Sequence, residues 1–213
     1  MKFHKDMLLL YAITDQAFAG EKNLLQQIEE ALASGVTFLQ LREKNMDRQE
    51  FLKEAIAVRK LTRQYGVPFI INDDVDIAIE CDADGVHVGQ EDLTAAKVRS
   101  RIGPDRILGV TAKTTDQAVK AWKDGADYLG SGAVFPSPTK KNAIGITMEQ
   151  LSAICRSVPI PVTAIGGITY ENVSLLQGTG ISGVSVVSGI FGQPDIPAAV
   201  RALKKEVRKV VVS

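Results

Sequence analysis

Three side chains suited to anion binding stand at alternate positions in one short run of the sequence. The run is Gln40-Leu41-Arg42-Glu43-Lys44. Successive side chains of an extended chain point to opposite sides, so Gln40, Arg42 and Lys44 face the same way. Two cations and an amide donor on one side suit an anionic ligand. A solvated charged loop is the alternative, but Gln40 lies inside a predicted strand, which argues against it.

Carboxylates follow two other apolar runs. Asp73 and Asp74 end one of them, and Asp92 lies a few residues beyond the other. Mg2+ takes one or two protein carboxylates and completes its shell with waters and substrate phosphates, a pattern that Asp73 and Asp92 fit, and Mn2+ would suit the same ligands. Helix N-capping by Asp74 and Asp92 explains the residues equally well, so both interpretations stay open. His87 has no second histidine at ligand spacing and is predicted to be a packed strand residue.

Glycines and hydroxyls mark three further positions. The stretch 130–142 has no periodicity and contains glycines, hydroxyls, Phe135 and a pair of lysines, which predicts a lid that grips phosphate rather than a plain surface loop. Gly167 and Ser188 follow two late apolar runs, where backbone N–H groups and a helix N-terminus can bind an anion. Thr111 ends another run, and its hydroxyl either contacts a substrate or starts the next helix.

Eight short apolar runs alternate with amphipathic segments along the chain. Such continuous apolar runs are typical of parallel strands that are buried on both faces. The predicted strands are 8–13, 37–41, 68–71, 85–88, 107–110, 127–129, 161–164 and 183–187. The predicted helices are 23–34, Asp47 to Gly66, 75–80, 94–101, 115–123, a helix capped by Thr147 with Gln150, Thr169 to Gly178, and Asp195 to Val211.

A closed barrel explains this alternation better than an open sheet does. The strand count is eight, and no G-x-G-x-x-G loop follows the first strand. Related phrases also precede the second, fourth, sixth and eighth strands, as a βαβα unit used four times would produce; they are Ser34 to Phe38, Ala83 to Val86, Gly125 to Tyr128 and Ile181 to Val184. The sequence therefore predicts a single α/β domain over 1–213, a (β/α)8 TIM barrel with its active site at the strand C-termini.

The composition narrows the function without defining it. Of 213 residues, 45% are apolar and 23% are charged, and Lys+Arg and Asp+Glu both number 25. This balance predicts neither nucleic acid nor membrane partners, and no run approaches the ~20 apolar residues of a membrane span. Cys81 and Cys155 lack metal or redox spacing and are expected to be reduced thiols of a cytoplasmic protein. Small phosphorylated substrates are the expected partners, with a homo-oligomer left open.

The candidate residues fall into two anion pockets. Gly167 and Ser188 suit a terminal monophosphate. The other pocket suits a diphosphate, and its residues are Arg42, Lys44, Lys140 and a Mg2+ ion on Asp73 and Asp92. Two anions and a metal suggest displacement of pyrophosphate by a phosphorylated nucleophile.

Seven segments in this order resemble the thiamine-phosphate synthase family. They are Tyr11 to Asp15, Gln40 to Lys44, Asn72 to Asp74, His87 to Asp92, Pro136 to Lys141, Ile165 to Ile168 and Val184 to Ile190. The resemblance implies that 4-amino-5-hydroxymethyl-2-methylpyrimidine diphosphate is joined to 4-methyl-5-(2-phosphoethyl)thiazole with release of pyrophosphate. It also implies that the diphosphate ionises first, leaving a pyrimidine carbocation for the thiazole nitrogen.

The resemblance also implies roles for individual residues. Asp73 and Asp92 would bind Mg2+, and Arg42, Lys44 and Lys140 would act catalytically on the leaving diphosphate. The substrate contacts would be Asn72 to the diphosphate, Gln40 and Thr111 to the pyrimidine, Ser137 and Thr139 to the thiazole substrate or pyrophosphate, and Gly167, Val187 and Ser188 to the thiazole phosphate. Many members read Ser-x-His where this chain reads Thr111-Ala112-Lys113, so these positions depart from the family.

Two rival functions share the barrel. Thiazole tautomerases keep the phosphate cradle, need no diphosphate or Mg2+, and use a histidine at the position of Lys113. A non-catalytic sensor of phosphorylated metabolites would keep Gly167 and Ser188 and could lose the acidic pair. The presence of Asn72, Asp73 and Asp92 favours the synthase over both.

Overall fold

The strands pair in parallel and in chain order, and the sheet closes where the first strand pairs with the last. This is the architecture of the computed structural model, which describes residues 2–18, 22–136 and 145–211. Leu10 is in register with Val184 across the closure. The strands are β1 Leu10–Ile13, β2 Phe38–Leu41, β3 Phe69–Asn72, β4 Gly85–Val88, β5 Ile107–Thr111, β6 Tyr128–Gly132, β7 Val162–Ile165 and β8 Gly183–Val186. The predicted TIM barrel is confirmed.

Helices surround the barrel. They are α1 Leu24–Ser34, α2 Arg48–Tyr65, α3 Val75–Glu80, α4 Ala95–Ile102, α5 Thr115–Lys123, α6 Met148–Ser157, α7 Ser188–Phe191 and α8 Ile196–Val211. Short 3-10 helices occupy Lys5–Leu8, Gln16–Phe18 and Val173–Leu176. The expected capping box of Thr147 and Gln150 begins α6, and Gly66 ends α2 in the left-handed conformation. Among the described residues, no helix is long and apolar enough to cross a membrane.

The helix predicted over Thr169 to Gly178 is wrong, because this segment forms only the 3-10 helix Val173–Leu176. The Asn172 side chain accepts a hydrogen bond from Thr169 N and donates one to Gly167 O, both at 2.8 Å. Asparagine competes in this way with the backbone bonds that a helix needs. The amphipathic pattern that predicted the helix contains no information on this local competitor.

The fourfold phrase has a structural explanation. In three of the phrases, the polar residue before an even strand bonds a residue at the start of the odd strand before it. Its side chain accepts from that residue's backbone N–H, and its own backbone N–H donates to that residue's C=O. The pairs are Thr37 with Leu10, Asp84 with Phe69, and Asp127 with Leu108. Ser182 contributes the backbone bond to Val162 O, at 2.8 Å. We call these four pairs the strand clamps.

The apolar core has two layers. The larger layer lies between the strands and the helices. The smaller one fills the barrel itself and consists of Leu8, Tyr11, Ile13, Phe38, Ile70, Ile107 and Tyr128. The barrel interior is thus packed beneath the strand C-termini, and an open cavity lies above it, where the loops meet.

Candidate active site

A cavity at the C-terminal ends of the strands brings together most of the predicted site residues. Its walls include Gln40, Arg42, Asn72, Thr111, Gly167, Val187 and Ser188. Lys113, which stands where many family members have histidine, also lines it. Residues of β2, β3, β5, β7 and β8 therefore meet at one place although they are far apart in the sequence. Ser137, Thr139 and Lys140 lie outside the described residues.

Arg42 is held in place by groups that follow β1. Its backbone N–H donates to Thr14 Oγ1 at 3.0 Å, and its guanidinium Nη1 lies 3.4 Å from Asp15 Oδ2. The side chain is only 15% exposed, so the guanidinium is partly desolvated at the cavity wall. A partly desolvated guanidinium attracts a phosphate more strongly than one in open water does. Lys44 is exposed and lies close enough to Asp73 to lower the pKa of that carboxyl.

The carboxyl groups of Asp73 and Asp92 lie close enough to affect one another's ionisation. Desolvation of Asp73, followed by the contact with Asp92, raises the pKa of Asp73 to about 6. Asp73 has a backbone φ of 62°, in the left-handed region, and Asn72 Nδ2 donates to Asp73 Oδ2 at 2.6 Å. Two carboxylates so close repel one another when both are ionised, and a divalent cation between them would remove that repulsion.

The N-capping interpretation holds for Asp74 but not for Asp92. Asp74 is the N-cap of α3 and accepts from Ile77 N at 2.9 Å. Asp92 does not cap α4; it accepts from Gly89 N at 2.7 Å, and Thr94 is the N-cap. Among the described residues, no three His, Cys, Asp or Glu side chains form a ligand cluster. An acidic pair is nevertheless what Mg2+ needs, since it keeps several waters.

Glu43 stands between Arg42 and Lys44 in the sequence, and other acidic side chains surround it, which the sequence did not reveal. Burial, followed by the charge of Glu54 on α2, raises the pKa of Glu43 to about 7. Asp15 adds a smaller effect in the same direction, while Arg42 opposes it. Glu43 is thus partly protonated near neutral pH, which limits the negative charge beside Arg42.

The loop after β7 approaches the loop after β6 closely. Gly167 has φ 62°, and a Cβ at this position would lie 2.2 Å from Pro136 O. Only glycine fits both this conformation and this contact. Asn172, which the sequence reasoning missed, bonds Gly167 O and Thr169 N. Ser188 begins α7, a helix of four residues, so Gly167 and Ser188 offer nearby backbone N–H groups rather than the end of a long helix.

A row of buried polar side chains forms the floor of the cavity. Gln40 Nε2 donates to Tyr11 Oη, Tyr11 Oη lies 2.9 Å from Tyr128 Oη, and Tyr128 Oη lies 3.0 Å from His87 Nδ1. His87 Nε2 is 3.1 Å from Thr111 Oγ1. His87 is packed in its strand as expected, but it also joins the two residues predicted to contact a pyrimidine. Such contacts across the barrel depend on strand register, which no local sequence pattern reports.

The closed barrel, with glycines after β7 and a serine after β8, has the architecture of TIM barrels that bind phosphorylated ligands. The model of the thiamine monophosphate synthase family matches residues 10–190, and the chain belongs to this family. It is 48% identical to the thiamine-phosphate synthase of Ruminiclostridium cellulolyticum, covering 91% of this chain and 92% of that protein. It is 45% identical to that of Clostridium botulinum, covering 94% of each chain.

A solved structure agrees with this family membership. The thiamine phosphate pyrophosphorylase of Pyrococcus furiosus superposes with a TM-score of 0.89 at 39% identity, covering 97% of this chain and 98% of that one. The family resemblance and the barrel expected from the sequence are both confirmed. The roles of the individual site residues remain predictions.

Proposed function

We propose that this protein is a transferase that joins 4-amino-5-hydroxymethyl-2-methylpyrimidine diphosphate to 4-methyl-5-(2-phosphoethyl)thiazole, the reaction of thiamine-phosphate synthases. The observation that carries the proposal is one cavity lined by groups from two parts of the barrel that are suited to binding anions. Arg42 follows β2 and Asn72 ends β3, whereas Gly167 follows β7 and Ser188 follows β8. Two phosphorylated substrates can therefore bind with their reacting atoms between the two anion sites. Relatives that are 45% and 48% identical over nearly the whole chain carry the same name.

In this proposal the bond between the pyrimidine methylene carbon and the diphosphate oxygen breaks, and the carbon bonds to the thiazole nitrogen. Pyrophosphate leaves with the electron pair of the broken bond. Arg42 and Lys44 stabilise the negative charge that develops on the leaving oxygen, and Lys140 is proposed to do the same. Ile13, Ile165 and Val186 line the cavity and would keep water from the electron-poor pyrimidine carbon.

Asp73 and Asp92 would hold Mg2+, because their carboxyl groups are adjacent and hard oxygen donors suit this ion. A Mg2+ ion held there would neutralise diphosphate charge and so make pyrophosphate a better leaving group. Asn72 orients the Asp73 carboxylate through its 2.6 Å hydrogen bond. Gln40 and Thr111 are proposed to bind the pyrimidine, Ser137 and Thr139 the thiazole substrate or pyrophosphate, and Gly167, Val187 and Ser188 the thiazole phosphate.

We also propose a cytoplasmic protein whose partners are these small phosphorylated molecules. Cys81 and Cys155 are both free thiols, as a reducing compartment would keep them. Whether the barrel acts alone or as a homo-oligomer is decided by measuring its mass in solution.

The deciding experiment mixes purified protein with both phosphorylated heterocycles and follows thiamine phosphate with Mg2+ and with excess chelator. Product that requires the metal supports the reaction and the metal site together. Product that still forms in excess chelator would support the proposed reaction and contradict the proposed Mg2+ requirement. Isomerisation of the thiazole phosphate without thiamine phosphate would reject the synthase in favour of a tautomerase. Binding of both ligands without any reaction would indicate a sensor.

A further inference from the structure

The polar row on the cavity floor is continuous from β2 to β5. It passes through side chains of β1, β6 and β4, in the order Gln40, Tyr11, Tyr128, His87 and Thr111. Gln40 is 2% exposed, Tyr11 1% and Tyr128 0%. Water therefore has little access to the middle of the row, and each group depends on its neighbours for hydrogen bonding.

The hydrogen bonds of the row have one direction. Gln40 donates its amide hydrogen to Tyr11 Oη, and each phenol has a single hydrogen to pass on. The Tyr11–Tyr128 geometry fits either oxygen as the donor; in the direction that continues from Gln40, Tyr11 donates to Tyr128, and Tyr128 donates to His87 Nδ1. Burial raises the pKa of both phenols above the ordinary value for tyrosine, so both keep their hydrogens at neutral pH. With Nδ1 accepting, the neutral imidazole carries its hydrogen on Nε2 and donates to Thr111 Oγ1.

Two glycines of the barrel interior make room for the central part of the row. A Cβ at Gly109 on β5 would lie 2.3 Å from Tyr128 Oη and 2.4 Å from His87 Nδ1. A Cβ at Gly130 on β6 would lie 3.1 Å from His87 Cε1. Both strands thus carry no side chain where the imidazole and the phenol meet. This space is specific to the row, because neither glycine has a positive φ that would require glycine for the backbone.

We propose that Tyr11, Tyr128 and His87 are positioning residues that set the hydrogen-bond polarity of Gln40 and Thr111 towards the pyrimidine. This inference rests on the proposed function and deepens it. Because Gln40 gives its NH2 group to Tyr11, it presents its carbonyl oxygen as an acceptor. Because Thr111 Oγ1 accepts from His87, it presents its own hydrogen as a donor. A 4-aminopyrimidine carries the matching pattern, an amino donor beside a ring-nitrogen acceptor.

The fixed polarity discriminates against the 4-oxo analogue of the substrate. That ring presents a carbonyl acceptor beside an N–H donor, the reverse of the amino pattern. To bind it, the row would have to invert every hydrogen bond or leave buried groups unsatisfied. Either cost corresponds to a preference of about 10- to 100-fold for the amino ring.

The variant that tests the row is Tyr128→Phe, which removes one hydroxyl and keeps the ring. We expect KM for the aminopyrimidine diphosphate to rise about 10-fold and the preference over the 4-oxo analogue to fall by a similar factor. KM for the thiazole phosphate should not change. Tyr65→Phe, at an exposed tyrosine of α2, is the matched control and should change nothing. An unchanged preference in Tyr128→Phe would overturn the proposal.

Nitrogen NMR tests the direction of the row without any assay and without any variant of its residues. The chain has two histidines, His4 and His87, so His4→Gln assigns both sets of ring signals. The protein as it stands should show His87 protonated at Nε2 and accepting at Nδ1. A hydrogen on Nδ1 would reverse the row and overturn the proposal. Absence of thiamine phosphate synthesis by the unmodified protein would instead reject the proposed function, while this measurement would still report the row.

Discussion

Arg59 of α2 and Asp84, the residue before β4, are joined by two hydrogen bonds of 2.6 and 2.9 Å, and both side chains are 13% exposed. Asp84 Oδ2 also accepts from the backbone N–H of Phe69 at 2.8 Å, which makes it part of a strand clamp. Arg99 and Asp127 repeat this arrangement one βαβα unit later, with a 2.6 Å bond between them. The repeated phrase of the sequence thus fastens helices to the lower rim of the barrel.

Replacing Arg59 with methionine should destabilise the protein by about 3 kcal/mol, because a carboxylate is left buried without its partner. Arg63→Met on the same helix is the control, since the Arg63–Asp82 pair is more than half exposed on both sides. Loss of this exposed ion pair should lower the free energy of unfolding by less than about 1 kcal/mol. Urea unfolding of the three proteins measures both values. Equal losses would show that burial does not distinguish the two ion pairs.

Asp73→Asn should lower turnover by about 100-fold, because the proposed Mg2+ ligand would be weakened while the cavity keeps its shape. Binding of the thiazole phosphate, measured by calorimetry, should be unaffected, since Gly167 and Ser188 line the cavity and Asp73 does not. Asp76→Asn, at an exposed position on α3, is the control. Equal loss of turnover and of thiazole-phosphate binding would contradict the assignment of two separate anion sites.

Gly167→Ala should weaken thiazole-phosphate binding and lower stability, because the new Cβ would lie 2.2 Å from Pro136 O. Gly178→Ala separates the two causes: Gly178 also has a positive φ, of 79°, but a Cβ there meets no atom within 4 Å. It should cost about 1 to 2 kcal/mol from the left-handed backbone alone. Thermal melts and ligand titrations compare the pair. Equal effects of both variants on binding would remove Gly167 from the phosphate site.

The stability of the protein should depend on pH through Glu43. The folded protein keeps a proton on Glu43 up to about pH 7, whereas the unfolded chain loses it near the ordinary value of 4.5. The folded state binds more protons in that interval, so this contribution is complete below pH 4.5 and is lost as the pH rises through 7.

Glu43→Gln, which cannot ionise, should therefore stabilise the protein at about pH 8 and have little effect at about pH 5. Because Glu43 is only half-buried, solvent screening reduces the expected gain to about 1 kcal/mol. This corresponds to a rise in melting temperature of about 3 °C. The exposed Glu50, changed to Gln on α2, is the control. A gain that is independent of pH would show that Glu43 is not the titrating group.

The strands and most helices were predictable because their signals are local. Runs of buried aliphatic residues marked all eight strands, and Thr147 with Gln150 marked the start of α6. The helix prediction for Thr169 to Gly178 failed, because Asn172 competes for backbone groups in a way that periodicity does not show. Strand ends also shifted: β6 continues to Gly132, since glycine and serine in a barrel wall carry no apolar signal.

The candidate site was predictable to the extent that it lies at strand ends. Gln40 and Arg42 were found from alternation and strand position, Asn72 was found through the family resemblance, and the structure places all three in one cavity. The polar row through Tyr128 and His87 was not predictable, because its members come from five strands and meet only once the barrel closes. An inward-facing histidine opposite two glycines is a signal, but it becomes readable only when the register of β4, β5 and β6 is known.

The strand clamps bear on how the molecule loses its structure. Asp84 holds two strands of its own βαβα unit together and also bonds Arg59, which belongs to the preceding unit; Asp127 and Arg99 do the same. Lys204 on the last helix reaches Gly35 O at 2.6 Å, beside the first clamp. In a linear repeat protein, units can melt from either end. Here side-chain bonds join the first unit to the second, the second to the third and the last to the first, and the closed sheet has no end. The quarters of the barrel should therefore melt together in a single cooperative transition.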